Sequence, residues 1–115
     1  DVRKGLLSRT EAALRSGVRK EQILWDPGLG FAKSHHQNLM LLQGLETLVR
    51  ESFPLLVGPS RKRFIGAVLN EPDPLARIWG TAAVACRCAQ AGVAVVRVHD
   101  VGPMAQTLRM AAELW

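Results

Sequence analysis

The chain has 115 residues, room for one small domain with a modest core, and its 48% apolar and 22% charged composition excludes a disordered polypeptide. Fifteen Lys and Arg against ten Asp and Glu leave +5 at pH 7, which favours anionic partners, phosphate-bearing metabolites as readily as nucleic acid. Tyr is absent and no aromatic residues alternate with the basic ones, which argues against a nucleic-acid platform; no membrane-length apolar run or signal peptide is present.

Residues Val2 to Ser16 read as an amphipathic helix with Leu6, Leu7, Ala13 and Leu14 on its apolar stripe and Gly17 as its stop. Ile23-Leu24-Trp25 reads as a brief strand closed by Asp26-Pro27-Gly28, and Leu29 to His36 as a loop. A second helix is predicted from Gln37 to Glu51, with Leu39, Leu42, Leu45, Leu48 and Val49 buried. Leu55 to Val57 is a second strand, followed by a polar turn and a short helix from Arg63 to Leu69 that ends at Asn70. Asp73-Pro74 starts a further helix, since Asp caps and proline fits the first turn; it runs through an alanine-rich stretch to Gly92. Cys86 and Cys88 lie on this helix two residues apart, where they diverge, so they read as packing residues in a reducing, cytosolic compartment rather than a disulfide or metal pair. Val93 to Val98 is the third strand, and Pro103 starts a last helix whose stripe includes Met104, Leu108, Ala111 and Ala112.

Strands and helices alternate, the strands are uniformly apolar and the connections are short, which predicts an α/β fold with a parallel sheet and outer helices. In such a sheet the carboxyl ends of the strands lie side by side. Those ends carry Asp26, then Gly58-Pro59-Ser60-Arg61-Lys62-Arg63, then Arg97-Val98-His99-Asp100, so three polar clusters are expected at one mouth. Asp26 either caps its own turn or accepts paired N–H donors from the guanidine-like edge of a heterocycle. Ser60 to Arg63 form either a solvated basic turn or an anion site at a helix start. Arg97 and His99 alternate onto one side of their strand, where Arg97 either pairs with Asp26 or another carboxylate, or clamps a phosphate or pyrophosphate. The glycine-rich run Gly28 to Ser34 does not make a phosphate-binding loop, because Ala32 and Pro27 stand where that loop needs glycine. It does not make a dinucleotide fingerprint either, with Lys33 at the third glycine position; its glycines serve tight turns, and Phe31 offers a flat apolar face. His35 and His36, being adjacent, read as solvated residues at a helix entrance.

Taken together, Asp26-Pro27-Gly28-Leu29-Gly30-Phe31, Gly58-Pro59-Ser60-Arg61-Lys62-Arg63-Phe64-Ile65-Gly66, Gly80-Thr81-Ala82 and Arg97-Val98-His99-Asp100-Val101 resemble dihydropteroate synthase in order and spacing, across essentially all 115 residues. The resemblance implies the C-terminal portion of a (β/α)8 TIM barrel, βα units six to eight, so that residues 1–115 form a partial pterin-binding domain; whole barrels take about 250 residues. It implies an enzyme joining p-aminobenzoate to a dihydropterin pyrophosphate, with release of pyrophosphate, in folate biosynthesis. By the same resemblance Asp26 would bind the pterin's aminopyrimidine edge and Lys62 its carbonyl and ring nitrogen. Ser60 would hold the aminobenzoate carboxylate, with Arg61 and Arg63 nearby and Phe31 against the ring, while Arg97 and His99 would bind pyrophosphate beside Gly58. Lys62, Arg97 and His99 are the expected catalytic residues. Sulfonamides would compete for the aminobenzoate place.

Ala32 and Ser34 depart mildly from the family pattern and leave Lys33 intact. The family's Mg2+-binding asparagine, an arginine on its second loop and the pterin contacts of strands three and four have no counterpart. No metal ligand is therefore expected among these residues, Mg2+ being held by the missing N-terminal half and by substrate pyrophosphate. A start at Asp1 without methionine agrees with a fragment, inactive alone and part of a homodimer when intact. The rival expectations are a pterin-binding methyltransferase domain, which should lack the Ser60-Arg61-Lys62 cluster, and a non-catalytic half-barrel.

Overall fold

The structure, a computed structural model, describes all 115 residues. Helix α1 (Val2–Arg15) is capped by Asp1, whose carboxylate accepts the Arg3 N–H. Helices α2 (His35–Gln43) and α3 (Leu45–Val49) follow, then strand β1 (Leu56–Val57), α4 (Arg63–Leu69), α5 (Ile78–Ala91), β2 (Val95–Val96) and α6 (Val101–Leu114). β1 and β2 are parallel, with Leu56 opposite Val95 and Val57 opposite Val96; Trp25 joins the other edge of β1 through a parallel bridge to Leu55. Three consecutive strand segments, each followed by helix, thus form the parallel sheet expected from the alternation of elements.

Side-chain alternation gives this sheet two unlike faces. Trp25, Leu55 and Val57 turn toward the helices and are at most 2% exposed, whereas Leu24 and Val95, on the other face, are 48% and 43% exposed. On the helix side, Val57 joins Leu29, Leu42, Leu45, Phe64, Ile65, Cys88 and Ala91 in the main core, and Trp25, Leu48 and Leu55 form a smaller cluster under α1. Trp25 is anchored twice: its indole N–H donates to the buried Thr10 hydroxyl at 2.7 Å and its ring stacks on Phe53 at 5.0 Å. Its apolar body is buried and its one polar atom is satisfied, which is what a buried tryptophan requires.

Local boundaries differ from the sequence reading at the strands and at three helices. The expected strands at 23–25, 55–57 and 93–98 shrink to a single bridging residue, two residues and two residues, because a ladder exists only where a neighbouring strand supplies partners. The expected helix over 37–51 begins at His35, since Ser34 and Gln37 form a capping box in which each side chain accepts the other's backbone N–H. It also breaks at Gly44, where φ −107° and ψ 20° leave the helical region. The helix expected from Asp73-Pro74 starts as a three-ten turn over Pro74–Arg77 before α5 proper, with the Asp73 carboxylate accepting the Leu75 N–H. Finally, α6 starts two residues before Pro103, which still falls in the first turn, where its missing N–H costs nothing. The stops at Asn70 and Gly92 stand as expected, both left-handed.

An ion pair ties α3 to α5: Arg87 Nη2 lies 2.6 Å from Glu46 Oε1, and its Nε donates to the Leu42 carbonyl. The hydrogen bonds from Arg87, reinforced by its charge, hold the Glu46 carboxyl down from 4.5 to about 2. A carboxylate with a depressed folded-state pKa stabilises the fold above its unfolded value and loses that contribution as pH falls toward the folded one. The melting temperature is therefore expected to decline between pH 4.5 and about 2 by more in the wild type than in Glu46→Gln. Parallel acid-melting curves for the two proteins would show that the pair carries no linkage.

Candidate active site at the sheet mouth

The carboxyl ends of β1 and β2 meet because the Arg97 N–H donates to the Val57 carbonyl at 2.9 Å, which sets Gly58 beside Arg97. The guanidinium lies against the bare Gly58 Cα; a Cβ there would fall 2.9 Å from Nη2. Gly58, Ser60, Lys62, Arg97, Val98 and His99 line one open cavity of about 380 Å³. Ser60 is buried, its Oγ 2.7 Å from His99 Nδ1 while accepting the His99 backbone N–H at 3.1 Å. The hydroxyl oxygen thus holds His99 through both its ring and its backbone, fixing the imidazole at the rim of the cavity.

Lys62 reaches the opposite way. Its stem lies flat on Gly30, where a Cβ would come within 2.8 Å of Cδ, and its ammonium donates to the Leu29 carbonyl. Nζ also stands 4.7 Å from the centre of the Phe31 ring, within cation–π range. Burial lowers the Lys62 pKa from its ordinary value, the Arg97 charge pushes the same way, and Asp26 opposes both. The lysine thus stands in the fields of both outer strand ends. The loop beneath it is held by Lys33, whose ammonium donates to the Gly28 and Phe31 carbonyls, and by buried Asn38, which accepts the Gly30 N–H at 2.8 Å.

The structure gathers Gly58, Ser60, Lys62, Arg97 and His99, and sets Asp26 and Phe31 on a neighbouring cavity of about 850 Å³ that Lys62 borders through Phe31. Asp26 caps its turn, Oδ1 accepting the Gly28 N–H at 2.8 Å, and remains exposed. Arg97 has no carboxylate partner; being exposed to the cavity, it needs none for solvation. Arg61 turns away from the cavity to pair with Asp100 at 3.0 Å, so Asp100 does not cap α6. Arg63 is exposed at the first position of α4, whose cap is Lys62 rather than Ser60. Asn38 and Thr81, both buried behind these loops, were not among the expected site residues: a lone Asn on an apolar helix carries no spacing signal, and Thr81 entered only as part of the Gly80-Thr81-Ala82 motif, without a role. No group of three or more His, Cys, Asp or Glu side chains gathers in the chain. With Asp26 bound to its own turn and Asp100 to Arg61, these residues do not fit a magnesium cage.

Residues 1–99 match the family of pterin binding enzymes. A dihydropteroate synthase from Synechocystis is 50% identical over all 115 residues. A dihydropteroate synthase structure from Xanthomonas albilineans, in complex with 7,8-dihydropteroate, superposes with a TM-score of 0.96 at 37% identity over 98% of this chain and 43% of that one. A Yersinia pestis dihydropteroate synthase with a sulfonamide drug superposes at 0.94 and 35% identity, over 99% of this chain and 41% of that one. The chain spans about 40% of the length of the curated dihydropteroate synthases it matches and about 15% of the longer fungal folic acid synthesis proteins. Its fold is accordingly a portion of the dihydropteroate synthase barrel, three neighbouring βα units with their helices outside. Since the match runs through every strand segment and every loop of the mouth, the chain belongs to the family of pterin-binding enzymes.

Proposed function

We propose that this chain is the C-terminal portion of a dihydropteroate synthase and supplies part of its active site. The observation that carries the reading is the convergence of Lys62, Arg97, Ser60 and His99 on one cavity from two adjacent parallel strand ends. The relative crystallised with 7,8-dihydropteroate, the product of this reaction, supports the reading. In this reading Asp26 receives the aminopyrimidine N–H groups of the pterin on its free carboxylate oxygen, and Lys62 donates to the pterin carbonyl and ring nitrogen. Arg97 and His99 face the pyrophosphate, Phe31 packs on the aminobenzoate ring, and Ser60 belongs to the wall around its carboxylate, with Arg63 exposed beside it at the start of α4 and Arg61 held outside that wall by its pair with Asp100. The aniline nitrogen attacks the pterin methylene as the C–O bond to pyrophosphate breaks. The bonding pair leaves with the pyrophosphate, whose charge the cationic wall absorbs, and the new secondary amine releases its proton.

The Mg2+ implied by the resemblance belongs to the proposal only with its protein ligand outside these 115 residues, since none of them forms a cage for it. No step above runs through it. Competition by sulfonamides is part of the reading, supported by the Yersinia pestis complex. A homodimer is also part of it, supported by Leu75 and Trp79, 66% and 79% exposed beside the start of α5, apolar surface a second copy would cover. A reducing, cytoplasmic setting suits the two free thiols, with burial raising that of Cys88 to about 11. No helix is long and apolar enough to cross a membrane.

The test is pyrophosphate release and dihydropteroate formation from the pterin pyrophosphate and p-aminobenzoate, for the full-length enzyme carrying this segment and for the isolated 115 residues. Turnover is expected from the first and not from the second. A full-length enzyme that forms no dihydropteroate overturns the function, and steady-state turnover by the isolated chain overturns the division of the site.

A further inference from the structure

Arg61 is the one residue of the basic cluster whose backbone is left-handed, with φ +59°, a region that a side chain bearing a Cβ disfavours. It sits at the third position of a turn closed by the Lys62 N–H on the Pro59 carbonyl at 3.3 Å, where glycine is the usual occupant. Both polar backbone groups of Arg61 are held from α5 and the turn before it. Its N–H donates to Thr81 Oγ1 at 3.2 Å, and its carbonyl accepts from Arg77 Nη1 at 3.0 Å. Thr81 is fully buried and its hydroxyl proton is committed to the Arg77 carbonyl, so its oxygen is left facing the Arg61 amide. Arg77 is fixed in turn: Nε and Nη2 donate to the Glu71 and Pro72 carbonyls, and the guanidinium covers Gly66, where a Cβ would lie 2.5 Å from Nε.

The turn has a consequence for the site. In an extended chain residues 60 and 62 would point the same way; here Ser60 reaches His99 on one wall and Lys62 reaches Leu29 and Phe31 on the other. We propose that Arg77 and Thr81, which do not line the cavity, are positioning residues that hold the Arg61 peptide left-handed and so place the Lys62 ammonium and the Ser60 hydroxyl. This rests on the dihydropteroate synthase reading for its kinetic consequence but not for its geometric one.

The experiment uses the full-length enzyme with Thr81→Val, which keeps the volume and deletes the hydroxyl, Thr81→Ser, which restores it, and Arg77→Lys. Two readouts are taken: steady-state kinetics, and the Lys62 titration by NMR of labelled lysine. Thr81→Val is expected to lower kcat about tenfold with smaller changes in KM, and Thr81→Ser to recover most of it. In Thr81→Val the Lys62 pKa is expected to move up toward the ordinary lysine value as the side chain loses its burial, with Arg97, Asp26 and Lys33 unchanged around it. A Thr81→Val enzyme with wild-type kcat and Lys62 titration overturns the proposal, as does a Thr81→Ser enzyme no better than the valine variant. If Thr81→Val does not fold, Arg77→Lys decides: a compact ammonium cannot reproduce the planar fork that spans the Glu71, Arg61 and Pro72 carbonyls, so unchanged kcat and titration there also overturn it. A wild-type enzyme without turnover would sink the functional reading alone, since the Lys62 titration still separates valine from serine.

Discussion

Lys62→Ala, introduced into the full-length enzyme, is expected to lower kcat/KM for dihydropteroate formation by about a thousandfold, the scale on which removal of a preorganised donor acts. Lys62 is the only ammonium on the cavity that Arg97 and His99 share. It is preorganised by three contacts made at once: the Leu29 carbonyl, the Phe31 ring and the bare surface of Gly30. The fit on Gly30 is tight, so Lys62→Arg is not expected to restore activity, because a planar fork cannot follow the same path. Steady-state kinetics together with a melting curve check the result. A folded Lys62→Ala enzyme with near wild-type turnover would remove the lysine from the site.

Arg97→Ala is expected to cost about a hundredfold in kcat/KM and to weaken product inhibition by pyrophosphate in step, since an unpaired guanidinium beside the leaving group acts chiefly on its charge. Arg97 is free for such a partner: it forms no ion pair and rests only on Gly58 and the sheet edge. Gly58→Ala should reproduce much of the loss without touching a charge, because the added Cβ claims the space of Nη2. The same substitution at Arg97 removes a like charge from Lys62 and should raise the lysine's pKa, burial still holding it below the ordinary value. Unchanged pyrophosphate inhibition in Arg97→Ala would place the diphosphate elsewhere.

What was legible in the amino-acid order is whatever a few adjacent residues decide. The stops at Asn70 and Gly92 depend on one left-handed residue each, and the start of α4 at Arg63 follows the Gly58-Pro59 break, whose proline stands four residues upstream. The parallel architecture followed from apolar runs alternating with helical stripes, and the mouth from the rule that such strands end together. The helix start at His35 was missed because a capping box outweighs the polarity of two histidines. Strand lengths were over-read because hydrogen-bond partners, not β-branched composition, decide where a ladder ends.

By itself, then, the sequence determined the class of fold, the order of its elements and the residue types gathered at one end of the sheet, all properties of neighbours in the chain. Only the tertiary structure decided how those residues divide the work. Ser60 and His99, Arg61 and Asp100, and Lys62 and Leu29 are pairs separated by 33 to 39 residues, invisible to any local pattern. The same holds for the left-handed Arg61 peptide, which survives because Thr81 on α5 and Arg77 in the turn before it satisfy both of its polar groups. A hydrogen bond or an ion pair needs two groups within a few ångströms of each other, and it is the packing of α4 and α5 against the sheet that brings them there.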